Sequence, residues 1–290
     1  RYSGMLLSWL RISFADKFPL YINVKLSNLD KYIVLLNHFV SFNNIVSLSA
    51  SYENNVVLHD IDFKVNENDF IGVIGPNGGG KTTLLKVILG LIKPSAGSMV
   101  FNSDLISANT IGYLPQISTG DNSYPVSVTD VILSGLMIRK RIVTRMSPSD
   151  KKRAAEVIDE LGLSAMAHSS LNELSGGQLQ RVFLGRAIIG NPVLLLLDEP
   201  GNFVDSTFEN DFYEKLKDLN KRMAILMVSH DIGIISSHVK SYACVNRNLH
   251  YHPSSEITNE QLLAYGCPIQ LITHGEVPHT VLRSHNLDGR

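Results

Sequence analysis

The sequence predicts an α/β protein built around a mixed or parallel sheet. Three apolar runs, at residues 70–74, 193–197 and 223–228, have the length and composition of buried central strands. The first two are each followed by polar or glycine-rich residues and then by apolar residues at helical spacing. Strands that alternate with helices in this way form parallel sheets, whose ligands bind at the carboxyl ends of the strands.

The other elements follow in a regular order along the chain. Shorter strands are predicted at residues 45–51, 58–65, 98–101 and 111–114. Residues 117–127 are loop-like, and a helix-rich stretch then extends to about residue 190. Within that stretch, Ser149 is predicted to cap a helix whose apolar face is Ala154, Val157, Ile158 and Leu161. A later amphipathic helix has its apolar face at Phe208, Phe212, Leu216 and Leu219.

Residues 75–83, Gly-Pro-Asn-Gly-Gly-Gly-Lys-Thr-Thr, join a strand to a helix and have the spacing of a phosphate-binding P-loop. Glycines let the backbone turn around an anion with N–H groups pointing inward. The following helix adds its positive N-terminal end. Lys81 can reach the outer phosphates, and the Thr82 hydroxyl can bind Mg²⁺. Apolar residues recur at helical spacing at Leu84, Leu85, Val87, Ile88 and Leu91.

Composition limits the class of protein. Of the 290 residues, 44% are hydrophobic and 18% charged, and the net charge of −1 gives no electrostatic case for a nucleic-acid partner. Two cysteines, Cys244 and Cys267, form no disulfide framework and fit a reducing cytosol. No apolar stretch reaches the ~18 residues that a membrane span needs. We therefore expect any membrane association to be peripheral. Residues 1–44 are a separate case: we expect them to be an extension outside the functional domain, with an amphipathic anchor as the alternative.

A second distinctive stretch, Leu-Ser-Gly-Gly-Gln at residues 174–178, opens a helix. Serine at a helix start followed by two glycines exposes a hydroxyl and backbone N–H groups, which can bind an anion. A capped helix with a glycine turn is the plain structural alternative. The acidic pair Asp198 and Glu199 follows a few turns later, directly after a buried strand.

These stretches together resemble the ATP-binding cassette (ABC) ATPases over about residues 45–284. Residues 75–83 resemble the Walker A loop of that family and residues 174–178 its signature motif. Residues 194–200 resemble Walker B, Tyr-Leu-Pro-Gln at 113–116 the Q-loop, residues 202–205 the D-loop and Val-Ser-His-Asp at 228–231 the switch histidine. The resemblance implies a P-loop NTPase core, an antiparallel β subdomain and an inserted α-helical subdomain at 117–189. Residues 246–284 would form a C-terminal tail region and 285–290 a terminal tail.

The resemblance also implies a role for each matching residue, with ATP and Mg²⁺ as cofactors. Glu199 would orient or deprotonate the attacking water, His230 would bind the γ-phosphate, and Gln116 would contact the metal and the water. Asp198 and Thr82 would hold Mg²⁺, and Tyr52 would stack on adenine. The phosphates would be bound by Gly75, Asn77, Gly78, Gly79, Gly80, Lys81, Thr82 and Thr83.

Other matching residues imply a partner subunit. In the family, the signature motif, here Ser175, Gly176, Gly177 and Gln178, faces the ATP of a second copy, so the resemblance implies a homodimer. Asp205 would lie at the same interface. The family pattern has small residues before this aspartate, whereas this chain has Gly-Asn-Phe-Val at 201–204, so the contacts of Phe203 across the dimer stay open.

The chain resembles the zinc and manganese branch of bacterial importers in five stretches, residues 124–136, 244–252, 265–268, 272–275 and 277–282. This implies a subunit at the cytoplasmic face of the membrane, with permease subunits and an extracytoplasmic metal-binding protein as partners. Import of iron-siderophore or cobalamin-type compounds is the alternative, and a soluble cassette outside transport is a further one. Cys267, His274 and His279 could form a metal-sensing cluster, but a solvated tail is the interpretation we favour.

Overall fold

The computed structural model describes part of the chain, namely residues 9–13, 21–25, 41–52, 55–101, 111–116, 126–137, 146–200, 206–230, 232–256, 269–273 and 278–282. The chain divides into two compact units, Arg1–Ser41 and Phe42–Arg290. In the first, β1 (Trp9–Ser13) and β2 (Tyr21–Lys25) form an antiparallel hairpin. The second holds the elements that follow.

The centre of the second unit is a six-stranded sheet. Its strands are β5 (Phe70–Ile74), β7 (Ile111–Leu114), β8 (Leu194–Asp198), β9 (Ala224–Val228), β10 (Ser241–Asn246) and β11 (Asn248–His252). The order is β11-β10-β5-β9-β8-β7; β11 is antiparallel to β10, and the other neighbours are parallel. Every residue of β5, β8 and β9 is buried, which explains why these strands read as continuous apolar runs.

A three-stranded sheet packs beside this core. It consists of β3 (Ser41–Tyr52), β4 (Asn55–Asn66) and β6 (Ala96–Phe101) in the order β4-β3-β6, with β3 and β6 antiparallel. The pairing of β3 with β6 shifts register between Val46 and Ser49, where Ser47 has a φ of 47°. Strand β3 begins at Ser41, four residues before the expected start. The antiparallel β subdomain implied by the resemblance is therefore present.

Several of the connections between the strands contain helices that the structure describes. They are α1 (Lys81–Ile88), α2 (Val128–Ser134), α3 (Pro148–Glu160), α4 (Gly176–Ile188), α5 (Ser206–Asn220) and α6 (Ile232–Ile235), with short 3₁₀ turns at Ser164–Met166 and Leu171–Glu173. Helices α2, α3 and α4 come between β7 and β8 in the chain and pack on one another. Gly185 lets α4 pack closely against α2 and the C-terminal end of α3, because a Cβ at this position would lie 2.9 Å from Ile132 Cδ1 and 3.0 Å from Leu161 Cδ1. The expected helical insertion is confirmed.

Two predicted details of the helices are wrong. Ser147, not Ser149, caps α3: its hydroxyl accepts a hydrogen bond from the Asp150 N–H (3.2 Å), and the Asp150 carboxylate accepts one from the Ser147 N–H (2.6 Å). Pro148 at the first helical position fixes this start, because its ring favours helical φ and it has no N–H to satisfy. Leu91 lies beyond α1, which ends at Ile88, and it is 69% exposed. The chain leaves the helix at Gly90, whose φ is 71°.

The six-stranded sheet separates two hydrophobic clusters. Alternate strand residues, such as Leu195 and Leu197, join the cluster formed with helices α2 to α6, whereas Leu194 and Leu196 join the cluster formed with α1 and the three-stranded sheet. Phe212, Leu216 and Leu219 of α5 are buried as predicted, and the side chain of Phe208 lies outside the described set. In the described residues, every helix is too short or too polar to cross a bilayer.

Candidate functional site

The predicted phosphate loop connects β5 to α1 in a conformation that only glycine accommodates at two positions. Gly75 has a φ of 146°, and a Cβ there would collide with the Val245 carbonyl. Gly80 is the N-cap of α1 with a φ of 106°. The Lys81 ammonium donates to the carbonyls of Gly75 and Pro76, both at 3.0 Å, so the side chain folds back along the loop.

The turn between β10 and β11 is hydrogen-bonded to this loop. The N–H of Arg247 donates to the Gly79 carbonyl (2.9 Å), and the Arg247 carbonyl accepts from the N–H of His59 in β4 (2.8 Å). These two backbone hydrogen bonds of Arg247 join strand β4, the β10–β11 turn and the phosphate loop.

Strand register brings the predicted polar residues to one edge of the sheet. Leu114 of β7 pairs with Leu197 of β8, and Asp198 of β8 pairs with Val228 of β9. The residues that follow, Gln116, Glu199 and His230, therefore leave the sheet at the same edge as the phosphate loop.

Asp198 is the buried acid of this edge, at 4% exposure. The Thr82 hydroxyl donates to its Oδ1 (3.3 Å) and the Tyr113 hydroxyl to its Oδ2 (3.5 Å). Burial, aided by the neighbouring Glu199, raises the pKa of Asp198, while the hydrogen bonds from Thr82 and Tyr113 oppose the shift. Burial and the Asp198 charge raise the pKa of Tyr113 to about 12.

Glu199 is the accessible acid, with its side chain 20% exposed. Its Oε2 accepts a hydrogen bond from Gln116 Nε2 (2.8 Å), and His230 Nδ1 lies 3.8 Å from its Oε1. Glu199 has a φ of 49°, and its N–H donates to the Val228 carbonyl at 3.1 Å. A side chain in this conformation costs about 1 to 2 kcal/mol, so the surrounding contacts must hold it. The result is a carboxylate directed at the edge beside the phosphate loop.

The signature residues form the N-terminal end of α4. The Ser175 hydroxyl accepts a hydrogen bond from the Gln178 N–H (3.4 Å), and the Gln178 side chain accepts one from the Ser175 N–H (2.9 Å). Ser175 and Gly176 are exposed, and Gly177 is partly exposed. The serine cap predicted from the sequence is therefore present, with the first turn of the helix accessible from outside.

The other predicted residues differ in accessibility. Tyr52 is exposed at the end of β3, and Asn77 and Gly78 are exposed at the tip of the phosphate loop. Gly79 is buried within the loop, and Thr83 is buried in the first turn of α1. Asp205, the stretch 201–204, Cys267 and His274 lie outside the described residues, as does the side chain of His279. No group of three His, Cys, Asp or Glu side chains in the described part of the chain could hold a metal ion.

Two residues of the site escaped the sequence reasoning. Tyr113 donates to Asp198, and Gln180 of α4 donates from its side-chain amide to the carbonyl of Pro200. The signal for Tyr113 was its place near the end of a strand adjacent to β8. Gln180 lies two residues after Gln178, beyond the residues that match the signature motif, so no local pattern distinguishes it.

Residues 58–202 match the family described as ABC transporter. The chain belongs to the ABC transporter family. The zinc uptake system ATP-binding protein ZurA of Listeria innocua is 35% identical over 227 residues, which cover 76% of this chain and 87% of that protein. The zinc import ATP-binding protein ZnuC of Hydrogenovibrio crunogenus is 35% identical over 205 residues, which cover 70% of this chain and 78% of that protein.

Solved structures agree with this assignment. A structure of an ABC transporter in an inward-facing conformation superposes with a TM-score of 0.71 at 25% identity, covering 83% of this chain and 96% of that one. As an ABC transporter ATP-binding subunit, the chain binds nucleotide, hydrolyses ATP and acts with membrane permease subunits.

Proposed function

We propose that this ABC ATPase drives the uptake of a divalent transition metal, zinc or manganese, from the cytoplasmic face of the membrane. Its partners would be permease subunits and an extracytoplasmic metal-binding protein. The relatives named above are zinc uptake and zinc import ATP-binding proteins, which supports a metal as the substrate. The observation that carries the catalytic part is the hydrogen-bonded pair of Gln116 and Glu199 beside the phosphate loop.

Mg²⁺ fits the donor set at the edge of the sheet. The Thr82 hydroxyl, the Asp198 carboxylate and the amide oxygen of Gln116 are all hard oxygen ligands, the type that Mg²⁺ prefers. These residues would hold the ion, and the bound ion would neutralise charge on the phosphates. Glycines 75, 78, 79 and 80, together with Asn77 and Thr83, would present the loop to the phosphates, and Lys81 would reach the terminal ones.

Glu199 is the proposed base. Its carboxylate is accessible, and Gln116 fixes the position of its Oε2 with a 2.8 Å hydrogen bond. A water held against Glu199 would lose its proton to the carboxylate as its oxygen bonds to the γ-phosphorus, while the bond to the β–γ bridging oxygen breaks and ADP leaves. His230, which is 60% exposed at the same edge, would donate a hydrogen bond to that phosphate. Tyr113 would keep the neighbouring Asp198 in place.

The proposed working unit is a homodimer. Ser175, Gly176, Gly177 and Gln178 open α4 with accessible N–H groups, which suit the phosphates of a nucleotide bound by a second copy. In the same arrangement Asp205 would lie at the interface, and the exposed Tyr52 would stack on adenine. Closure of two copies over ATP and their opening after hydrolysis would move the permease subunits.

Glu199→Gln tests the catalytic assignment. The amide keeps the shape of the side chain but cannot accept the proton of water, so phosphate release should fall by at least about 100-fold. ATP binding should stay intact, and the variant should accumulate as an ATP-loaded dimer, measured by light scattering.

A matched control is Glu214→Gln, which makes the same chemical change in α5, where Glu214 pairs with Lys217 at 2.8 Å. This control should hydrolyse ATP normally. Unchanged phosphate release by Glu199→Gln would remove Glu199 from the role of base.

A further inference from the structure

Gln180 is a buried polar side chain in the second turn of α4, at 4% exposure. Its amide donates to the carbonyl of Pro200, the residue that directly follows Glu199. A buried amide loses its hydrogen bonds to water, so a protein partner must replace them. Here that partner belongs to the turn that carries the proposed base.

Pro200 has a single backbone group that can form a hydrogen bond. Proline has no N–H, so the carbonyl is the one backbone polar group that Pro200 can use to anchor the turn. On the other side of Glu199, its own N–H donates to the Val228 carbonyl at 3.1 Å. The two hydrogen bonds thus hold the backbone on both sides of the Glu199 side chain, and the φ of 49° there is unfavourable for every residue type except glycine.

Gln180 also belongs to the helix that begins with the signature residues. Ser175 caps α4, and Gln180 lies five residues further along the same helix. A separate contact, the 2.5 Å ion pair between Arg181 and Asp211, joins α4 to α5 without involving the Glu199 turn. The Gln180 hydrogen bond is a direct contact through which a shift of α4 would reach the backbone beside Glu199.

We propose that Gln180 is a positioning residue for hydrolysis, which ties the signature helix to the backbone of the Glu199 turn. This inference rests on the proposed function, in which Glu199 activates water and the start of α4 meets the nucleotide of a second copy. Gln180 would then set the direction of the Glu199 carboxylate according to the position of α4. A purely structural role would instead lower stability and leave catalysis by the folded protein unchanged.

The test is Gln180→Met in the full chain, because methionine has a similar length and no donor. We expect kcat for ATP to fall by about 10- to 100-fold, since small misplacements of a catalytic group have effects of that size. The KM for ATP and the binding of ATP should stay within about twofold of the original values, because the Gln180 side chain is buried. Gln180→Asn, which keeps the amide but is one methylene shorter, should behave in the same way.

Asp211→Asn is the control, because it breaks the ion pair between α4 and α5 and leaves the Pro200 carbonyl bonded. This variant should retain kcat. All assays use a temperature at which circular dichroism shows the variants folded. Normal kcat in Gln180→Met, an equal loss in Asp211→Asn, or failure of both Gln180 variants to fold would each overturn the inference. If Glu199→Gln abolishes turnover while Gln180→Met does not, the proposed function stands and this inference alone fails.

Discussion

Gly75 in the phosphate loop occupies a position where both the backbone conformation and the surrounding atoms exclude a side chain. The backbone there has a φ of 146°, and the space that a side chain would occupy is filled by the Val245 carbonyl. Glycine is therefore required both by conformation and by the packing of β10 against the loop. The sequence indicated glycine for its flexibility around phosphate, and the structure adds this steric reason.

Gly75→Ala should therefore be strongly destabilising. The added methyl meets backbone, which cannot move aside as a side chain could, so we expect a loss of at least about 3 kcal/mol in the free energy of unfolding. Urea denaturation of the purified chain measures this quantity.

Gly90→Ala separates strain from collision. Gly90 also has a positive φ, 71°, but a Cβ there has no neighbour within 4 Å. Its cost should be limited to the conformational term of about 1 to 2 kcal/mol. Equal losses in the two alanine variants would show that the Val245 carbonyl does not determine the requirement at Gly75.

Helix α3 provides a test at the level of an element. Ser147→Ala removes the hydroxyl that caps the helix and should lower the free energy of unfolding by about 1 kcal/mol. Ser149→Ala serves as the comparison, because Ser149 lies inside the first turn, where its exposed hydroxyl is 2.8 Å from the Ser147 hydroxyl, and its loss should change stability by only a few tenths of a kcal/mol. Both values come from the same urea titration, and a larger effect at Ser149 would restore the cap predicted from the sequence.

The elements were predicted most accurately where one local signal dominated. The strands at Phe70–Ile74 and Ile111–Leu114 have their predicted bounds, because wholly buried or half-buried strands leave a clear apolar pattern. The sequence offers two serines that flank Pro148 as caps of α3, and the preference of proline for the first helical position distinguishes Ser147 from Ser149. Leu91 continued the helical spacing, but spacing alone does not register the helix end at Gly90.

The candidate site was predictable as a set of residues, although its contacts were not. Gln116, Asp198, Glu199 and His230 each follow or end a buried strand, which the sequence shows. Their hydrogen bonds depend on the order and register of strands far apart in the chain. For the same reason the contact of Gln180 with Pro200 left no local signature.

Metal-limited growth tests the proposal for the whole protein. Cells that lack this chain should grow poorly when transition metals are scarce, because uptake loses its source of energy. Added zinc or manganese, each supplied separately, should restore growth. The original chain should also restore growth without added metal, whereas the Glu199→Gln variant should not. Rescue by neither ion would contradict metal uptake and favour import of iron-siderophore or cobalamin-type compounds.

The hydrogen bond between the β10–β11 turn and the phosphate loop has a consequence for how the protein is made. Gly79 comes early in the chain, whereas the Arg247 N–H that donates to its carbonyl comes about 170 residues later. A ribosome therefore releases the nucleotide-binding loop long before it releases the segment on which that loop rests. Until synthesis passes Arg247, the nascent subunit lacks the hydrogen bond that holds Gly79. Competence to bind ATP should thus arise late in translation.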